Sequence, residues 1–255
     1  MRTIAIANHK GGVAKTTTAA NLGAILAQDG YTVLLIDLDP QASLTAALGI
    51  NNASQTMAEV LGGASPGMLA LHDAIVQLQD RLYIAPGSMG LVASDLGLVQ
   101  RPGRENVLKR ALASVQKNYD VCIIDCPPAL SILTINGLTA ADAVICPTMP
   151  QAADLRGLLS FVQSLDAVKP LNPNINLLGV LITQFDTRYN HHQEARQLLE
   201  ASGLPLFNAV IGKTVRISES QGVGRALVDY DPGNPRAAEY KLFAKEVKQW
   251  LTNQQ

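Results

Sequence analysis

The sequence predicts an α/β fold with a mostly parallel, twisted sheet and helices on both of its faces. Short runs of β-branched residues and leucine recur along the chain, and such nearly unbroken apolar runs are typical of strands that are buried on both faces. Helix-prone segments alternate with these runs, as in other α/β proteins. The apolar runs are spread over residues 3–211 without a repeat or an obvious linker, so we expect a single domain over residues 1–255.

Composition favours a compact protein with no global charge signal. Hydrophobic residues make up 47% of the 255 residues and charged residues 16%, which suits a large buried core better than a disordered chain. The net charge is −1, so no overall basic field points to nucleic acid. Cys122, Cys126 and Cys146 lie in or beside apolar runs without metal-ligand spacing, and we expect reduced core thiols in a cytoplasmic protein.

A glycine-rich stretch near the start of the chain predicts a nucleotide site. An apolar run over residues 3–7 leads into NHKGGVAKTTT at residues 8–18, and a helix-prone run over residues 19–28 follows. A strand, a glycine turn and a helix N-terminus in this order leave backbone N–H groups free to bind phosphate, with added positive potential from the helix dipole. Lys15 then neutralises phosphate charge, and the Thr16 hydroxyl is placed to hold Mg²⁺.

This stretch departs from the usual P-loop pattern, because His9 and Ala14 stand where its two glycines belong. It fits the variant K-G-G-x-x-K-[ST], in which Lys10 precedes Lys15. On these residues the chain resembles the ParA/MinD family of deviant-Walker P-loop NTPases and is most similar to its small, Soj-like ParA members. The resemblance implies that ATP and Mg²⁺ bind here and that Lys10 reaches the phosphates of a partner subunit in an ATP-sandwiched homodimer. The expected nucleotide contacts are Lys10, Gly11, Gly12, Val13, Ala14, Lys15, Thr16 and Thr17.

Two acids follow the apolar run over residues 31–38, in the sequence DLDPQ. They emerge at the carboxyl end of a predicted strand, the edge at which open α/β sheets bind ligands. Because alternate side chains of a strand point to opposite faces, Asp37 and Asp39 should not share a role. By resemblance, Asp39 is catalytic: it positions the water that attacks the γ-phosphate and stands near the metal. The alternative is a cap for a helix beginning near Ala42.

A third acid ends the apolar run DVCIID over residues 120–125, which Pro127 and Pro128 terminate. Four apolar residues ending in an acid form a Walker B signature, which is a weak motif alone. After the variant P-loop, and with the family's D-x-P-P ending, it predicts that Asp125 holds a water of the Mg²⁺ shell.

Several segments give structural predictions only. Residues 51–80 predict short helices over 56–61 and 69–78, with turns at Gly62-Gly63 and Pro66-Gly67. His191 and His192 open a helix, where adjacent side chains project about 100° apart and make a poor metal pair. We therefore expect solvated surface histidines.

The segment AVIGKTVRISES over residues 209–220 resembles the family's I-P-x-N-V-R-x-S-E, whose Pro and Asn carry the adenine contacts. Gly212 and Thr214 stand at those two positions, so backbone contacts to the base survive while the side-chain amide is lost. Arg216 matches the family's arginine, which belongs to a DNA-binding surface in partition members.

Residues 236–251 predict an amphipathic C-terminal helix with apolar residues along one face. Lys241, Lys245 and Lys248 fall together on one flank of it. Three interpretations remain open: an apolar face docked on the sheet with solvated lysines, a docked helix whose lysines face DNA, and a peripheral membrane helix as in MinD.

The resemblance implies a slow Mg-ATPase that dimerises with ATP, binds DNA non-specifically on the nucleoid as the ATP dimer, and is stimulated by a ParB-like partner. Its cargo would be a chromosome, a plasmid or an organelle such as a carboxysome. A DNA patch across the dimer would draw on Arg188, Arg196, Lys213, Arg216, Lys241, Lys245 and Lys248.

Two alternatives belong to other classes of protein. A MinD-like membrane-cycling ATPase would use the C-terminal helix to bind anionic lipid. An electron-transfer ATPase similar to the nitrogenase iron protein is disfavoured, because no cysteine pair is placed to bridge an iron–sulfur cluster.

Overall fold

The computed structural model describes residues 1–62 and 69–253. The strands in this part of the chain are β1 Arg2–Ile6, β2 Val33–Asp37, β3 Val76–Gln79, β4 Leu82–Ala85, β5 Val121–Asp125, β6 Ala143–Thr148, β7 Asn176–Phe185 and β8 Leu206–Gly212. They form one sheet in the order β3-β4-β2-β5-β1-β6-β7-β8. Every neighbouring pair is parallel except β3 and β4, which are antiparallel.

Helices connect the strands, as the parallel order requires. They are α1 Lys15–Gln28, α2 Ser43–Ala47, α3 Met57–Val60, α4 Leu71–Ala74, α5 Leu91–Leu98, α6 Val107–Ala113, α7 Ile132–Ala140, α8 Ala152–Val168, α9 Asn190–Ala201, α10 Arg216–Gly222, α11 Leu227–Tyr230 and α12 Pro235–Thr252. The predicted α/β fold is therefore confirmed.

The sheet has a hydrophobic core on each face, because the side chains of every central strand alternate between the two faces. Ala5 of β1 belongs to the core that includes residues of α5, α6, α7 and α8. Ile4 and Ile6 belong to the opposite core, beneath α1, α11 and α12. The apolar strand runs of the sequence are buried because both faces are covered.

The register of the central strands brings the predicted site residues to one edge. Asp37, the last residue of β2, is paired with Asp125, the last residue of β5. Asp125 is also level with Ile6 at the end of β1, directly before the glycine-rich loop. The P-loop and both acid-containing loops therefore leave the same carboxyl edge of the sheet, where α/β proteins bind their ligands.

The helix predicted over residues 69–78 is wrong. The structure has a single helical turn, α4, and then the strand β3, which forms the edge of the sheet beside β4. The sequence VQLQ at residues 76–79 alternates apolar and polar residues, which is the period of a strand. Arg81, with φ 57°, turns the chain back into β4. The predicted turn at Pro66-Gly67 lies outside the described residues.

The C-terminal helix α12 is docked on the protein. Asn234 caps its N-terminus by accepting a hydrogen bond from the Arg236 N–H, and its apolar face packs on α1 and β8. The buried residues of this face are Ala237, Tyr240, Phe243, Ala244, Val247 and Leu251. Of the three interpretations of this helix, the two with a docked apolar face agree with the structure. None of the described helices has the length and apolarity needed to cross a bilayer.

Candidate functional site

The loop between β1 and α1 has the shape of an anion-binding turn. Gly12 and Ala14 both have left-handed backbone conformations, with φ of 76° and 66°. Ala14 immediately precedes α1 and accepts the first helical hydrogen bond from the Thr18 N–H. A left-handed conformation costs an L-residue roughly 1–2 kcal/mol, so Ala14 stores backbone strain at the predicted phosphate site.

Side chains from β7 hold this loop in place. The Thr183 hydroxyl donates to the carbonyl oxygen of Val13 at 3.1 Å. The Gln184 amide donates to the carbonyl oxygen of Gly12 at 2.7 Å. Gln184 itself has φ 54°, so its backbone is also strained, and its side chain lies directly against the predicted phosphate loop.

Lys15 points into the loop that precedes it. Its ammonium donates to the carbonyl oxygen of Lys10 at 2.9 Å, and the residue is almost fully buried. Burial lowers the pKa of Lys15, while the nearby Asp125 carboxyl opposes this shift. No carboxylate of the described residues is hydrogen-bonded to this ammonium, and a buried ammonium in that state is prepared to bind an anion such as phosphate.

Thr16 and Asp125, the two residues predicted to hold the metal, are in contact with each other. The Thr16 hydroxyl donates to one carboxyl oxygen of Asp125 at 2.7 Å. The other oxygen of Asp125 is buried and has no hydrogen-bond partner among the residues that the structure describes. Burial, followed by the proximity of Asp37, raises the pKa of this carboxyl. An unpartnered buried oxygen beside a hydroxyl fits the second shell of a Mg²⁺ ion, whose bound water would supply the missing hydrogen bond.

Asp37 and Asp39 have different environments, as expected. Asp37 is fully buried and accepts hydrogen bonds from the Thr45 N–H and hydroxyl. The strand ends at Asp37, so Asp39 lies in the following loop, where its carboxylate accepts the Gln41 N–H at 2.9 Å. It does not cap α2, whose preceding residue Ala42 has no side-chain cap. Asp39 instead faces the predicted nucleotide cavity.

A cavity of about 710 Å³ lies above this edge of the sheet. It is large enough for a nucleoside triphosphate, since ligand pockets commonly measure about 300–1,000 Å³. The predicted residues that line it are Gly11, Gly12, Ala14, Lys15, Thr16, Thr17, Asp39, Gly212 and Thr214. Val13 and Asp125 are buried behind the wall instead.

Lys10 is not among the residues that line the cavity. Its ammonium forms an ion pair with Asp154 of α8, whose carboxyl group is buried. Within the described part of the chain, the second oxygen of this carboxyl has no hydrogen-bond partner, and Lys10 is the one cation paired with the group. About 37% of the Lys10 side chain is exposed. Lys15 therefore lines the nucleotide cavity, whereas Lys10 is directed to α8.

The far end of the cavity is formed by the β8–α10 segment. Gly212 and Thr214 lie there together with Ile217 and Gln221. The Gln221 amide donates to the Thr17 hydroxyl at 3.3 Å and so joins this segment to the first turn of α1. The Thr214 hydroxyl accepts the Arg216 N–H. The cavity thus runs from the acidic loops, past the P-loop, to the segment that was predicted to contact the base.

The basic residues predicted to bind DNA fall into two groups. Four of them have acidic partners: Arg188 with Asp186, Arg196 with Glu200, Arg216 with Glu219 and Asp231, and Lys248 with Asp29. Lys213, Lys241 and Lys245 are exposed and form no ion pair within the described part of the chain. Only this second group presents uncompensated positive charge.

The expectation for His192 is wrong. Its ring is buried, and its Nδ1 atom accepts the Asp186 N–H at 3.0 Å, which fixes the turn before α9. Burial lowers the pKa of His192. His191 is exposed, as expected. The described residues contain no group of three or more side chains placed to bind a metal.

The three cysteines are buried core thiols, as predicted. Burial raises the pKa of each thiol, so none is prepared to be a thiolate ligand or nucleophile.

Several residues that shape the site were not predicted from the sequence. Asp154, Gln184, Gln221 and Tyr240 contact the P-loop or line the cavity. A signal existed for Asp154, because it follows a buried strand at the same sheet edge as Asp39 and Asp125. Tyr240 belongs to the apolar face of α12, and nothing in the sequence places that face against the cavity.

The chain is similar to several known proteins over most of its length. Residues 1–177 match a family model described as an AAA domain. The sporulation initiation inhibitor protein Soj of Bacillus subtilis is 40% identical over 248 residues, which cover 96% of this chain and 97% of Soj. The chromosome partitioning protein ParA of Caulobacter vibrioides is 37% identical, with coverages of 97% and 94%.

A solved structure extends the comparison to the fold. The structure of a cobyrinic acid a,c-diamide synthase from Mycobacterium smegmatis, with bound ADP and magnesium, superimposes with a TM-score of 0.85 and 36% identity, over 99% of this chain and 96% of that one. The chain therefore belongs to the ParA/MinD family of P-loop ATPases, with ATP as its substrate and Mg²⁺ as its metal.

Proposed function

We propose that this protein is an ATP-gated dimerisation switch that binds DNA non-specifically as the ATP dimer and positions a cargo. The observation that carries this proposal is the direction of Lys10. Its side chain lies on the P-loop yet outside its own nucleotide cavity, in an ion pair with Asp154. A lysine that is held away from its own phosphates is suited to act on those of a second subunit.

We assign the chemistry within one subunit to four residues. Lys15 binds the β- and γ-phosphates, and its burial strengthens this attraction because water screens it poorly. Thr16 and Asp125 would hold Mg²⁺, through the hydroxyl and through a bound water respectively. The ion neutralises charge on the phosphate oxygens. Asp39 orients the attacking water at the open side of the cavity.

Lys10 of each subunit would complete the partner's site. Negative charge on the transferred phosphoryl group is stabilised by added cations, and a cation supplied from outside the subunit can raise the rate by orders of magnitude. ATP hydrolysis would then depend on formation of the dimer. We also propose slow turnover in the absence of an activator and stimulation by a ParB-like protein, both of which the family resemblance implies.

The DNA surface is proposed on the edge of the molecule formed by β8 and α12. Lys213, Lys241 and Lys245 provide uncompensated charge there, and the ion-paired basic residues of this region would add to it when DNA displaces their acidic partners. The related proteins Soj and ParA carry names that refer to sporulation control and chromosome partitioning. A chromosome, a plasmid or an organelle such as a carboxysome is the class of cargo proposed here.

A gel-shift experiment tests the proposal with ATP, ADP or no nucleotide. Wild type should shift non-specific DNA with ATP only. Asp39→Ala should hold DNA with ATP because hydrolysis is blocked, and Lys10→Ala should lose it because the dimer does not close. If wild type fails to bind DNA in every nucleotide state, the DNA function is wrong. Sedimentation with anionic liposomes, with and without residues 236–255, then tests the MinD-like alternative.

A further inference from the structure

Gly212 is held by α12 at the far end of the nucleotide cavity. Its N–H donates to a carboxylate oxygen of Glu239 at 2.8 Å. A proline, which stands at this position in the resembled family's segment, has no N–H group and could not make this bond. The absence of proline at this position therefore leaves a backbone donor that this chain uses.

The space beside Gly212 is occupied by Arg236. A Cβ atom at Gly212 would lie only 2.4 Å from the Arg236 Cζ and 2.6 Å from its Nε. The guanidinium also forms an ion pair with Glu239, the same carboxylate that accepts the Gly212 N–H. Arg236 and Glu239 are on the first turns of α12. These three residues, Gly212, Arg236 and Glu239, form a connected unit that we name the clasp.

The clasp lies between two recesses. Gly212 and Lys213 line the nucleotide cavity of about 710 Å³ and also a second recess of about 460 Å³, whose walls include Arg236 and Glu239. The next residue of α12, Tyr240, lines the nucleotide cavity itself. The segment after β8 thus separates the two recesses, and α12 supports it through Arg236 and Glu239, which line the second recess.

We propose that Arg236 and Glu239 are positioning residues for the nucleoside half of ATP. They hold the backbone at Gly212, and with it the segment of residues 212–214, in the conformation that contacts the base, and so supply the rigidity that a proline would give. A wall that is held before binding loses less conformational freedom when the ligand binds. This inference rests on the proposed placement of the nucleoside at this end of the cavity.

The first test uses Gly212→Ala. Gly212 does not have a left-handed backbone, and the group that a methyl would meet is the end of a flexible side chain. The substitution should therefore displace Arg236 without unfolding the protein. We expect KM for ATP to rise about three- to tenfold with a smaller change in kcat, and a Tm within about 2 °C of wild type.

A double-mutant cycle with Arg236→Ala shows whether the two residues act together. Arg236→Ala should raise KM by a similar factor. Gly212→Ala should then have no further effect in the Arg236→Ala background, because the group it displaces is already gone. Independent, additive effects of the two substitutions would overturn the proposal.

Glu239 supplies a graded test. Glu239→Gln keeps an oxygen that can accept the Gly212 N–H but loses the charge that holds Arg236, whereas Glu239→Ala loses both. KM for ATP should therefore increase in the order wild type, Glu239→Gln, Glu239→Ala.

Inorganic tripolyphosphate with Mg²⁺ distinguishes positioning from general damage. It has no nucleoside, so its inhibition constant should be the same in wild type and in the clasp variants. A clasp variant that weakens ATP and tripolyphosphate equally contradicts the inference. Lys15→Ala is the control for the site itself: if it retains full ATP affinity, the placement of the nucleotide is wrong, independently of the clasp.

Discussion

Asp37 and Asp125 are neighbouring carboxyl groups at the ends of β2 and β5, and both are buried. Burial raises the pKa of Asp37 to about 6, in spite of the hydrogen bonds from Thr45 that lower it. Between about pH 4 and pH 6 the folded protein therefore keeps a proton that the unfolded chain has lost. The stability that this proton confers is fully present below about pH 4 and is lost as the pH rises through 6.

We expect Asp37→Asn to remove this pH dependence. On raising the pH from 4 to 7, the free energy of unfolding of wild type should fall relative to the variant by up to roughly 3 kcal/mol, from a shift of about two pH units at 1.36 kcal/mol each. Urea unfolding at several pH values measures it. Repeating the comparison in an Asp125→Asn background separates Asp37 from its charged neighbour. If the difference in free energy of unfolding between wild type and Asp37→Asn stays constant across this pH range, the raised pKa of Asp37 is contradicted.

Ala14 gives a second prediction at the residue scale. Because its φ is 66°, Ala14→Gly should relieve backbone strain and raise the free energy of unfolding by roughly 1 kcal/mol. Gly12→Ala is the matched control: it also has positive φ and open space around it, so it should destabilise by a similar amount. We further expect Ala14→Gly to retain ATP binding with an altered hydrolysis rate; unchanged kinetics would refute that part.

At the scale of elements, the P-loop and α8 are joined by the ion pair of Lys10 with Asp154. Lys10→Ala should destabilise the nucleotide-free protein by roughly 1–3 kcal/mol, because it leaves a buried carboxylate without its cation. The double variant Lys10→Ala/Asp154→Asn should recover most of that loss. Thermal unfolding without nucleotide measures both variants. If the double variant is no more stable than Lys10→Ala, the ion pair is not the cause.

The same ion pair should oppose dimerisation, since Lys10 must leave Asp154 to reach another subunit. Asp154→Asn keeps the shape of the side chain and removes its charge. We expect this variant to form the ATP dimer at a several-fold lower protein concentration than wild type, as measured by sedimentation velocity. A dissociation constant of the ATP dimer that is unchanged or higher in Asp154→Asn would show that Asp154 does not restrain Lys10.

The sequence predicted elements well where local pattern and tertiary environment agree. The strands that end at Asp37 and Asp125 are apolar up to that last residue and are buried on both faces. Prediction failed at the edge strand β3, which is mostly exposed and only four residues long. Its alternation of apolar and polar residues is therefore too short to be told from a helix. Prediction failed again at His192, whose burial depends on a hydrogen bond to the preceding turn and not on any periodicity.

The predicted site residues are close together because the sheet order places β1, β2 and β5 side by side. The motif sequences were enough to predict that arrangement. The contribution of α12 was not predictable, because Arg236 and Glu239 are more than twenty residues from Gly212 and share no motif with it. Their contact depends on the packing of the whole helix against β8 and α1.

At the scale of the whole molecule, the net charge of −1 means that DNA binding must come from a local surface. Lys241 and Lys245 are one turn apart on the exposed side of α12 and form no ion pair in the described chain. Lys248, on the same helix, is paired with Asp29. The first two lysines should therefore contribute more to DNA affinity than the third.

The salt dependence of DNA binding tests this distribution of charge. Each phosphate contact contributes about −0.9 to the slope of log affinity against log salt concentration, and a dimer carries every lysine twice. Lys241→Ala/Lys245→Ala should therefore make the slope for the ATP-bound protein shallower by about 3–4. Lys248→Ala should change it less, because this lysine must first leave Asp29, and Lys117→Ala, on an exposed loop before β5, should leave it unchanged. Equal slopes for all four proteins would show that the surface of β8 and α12 does not contact DNA, even if the protein binds DNA elsewhere.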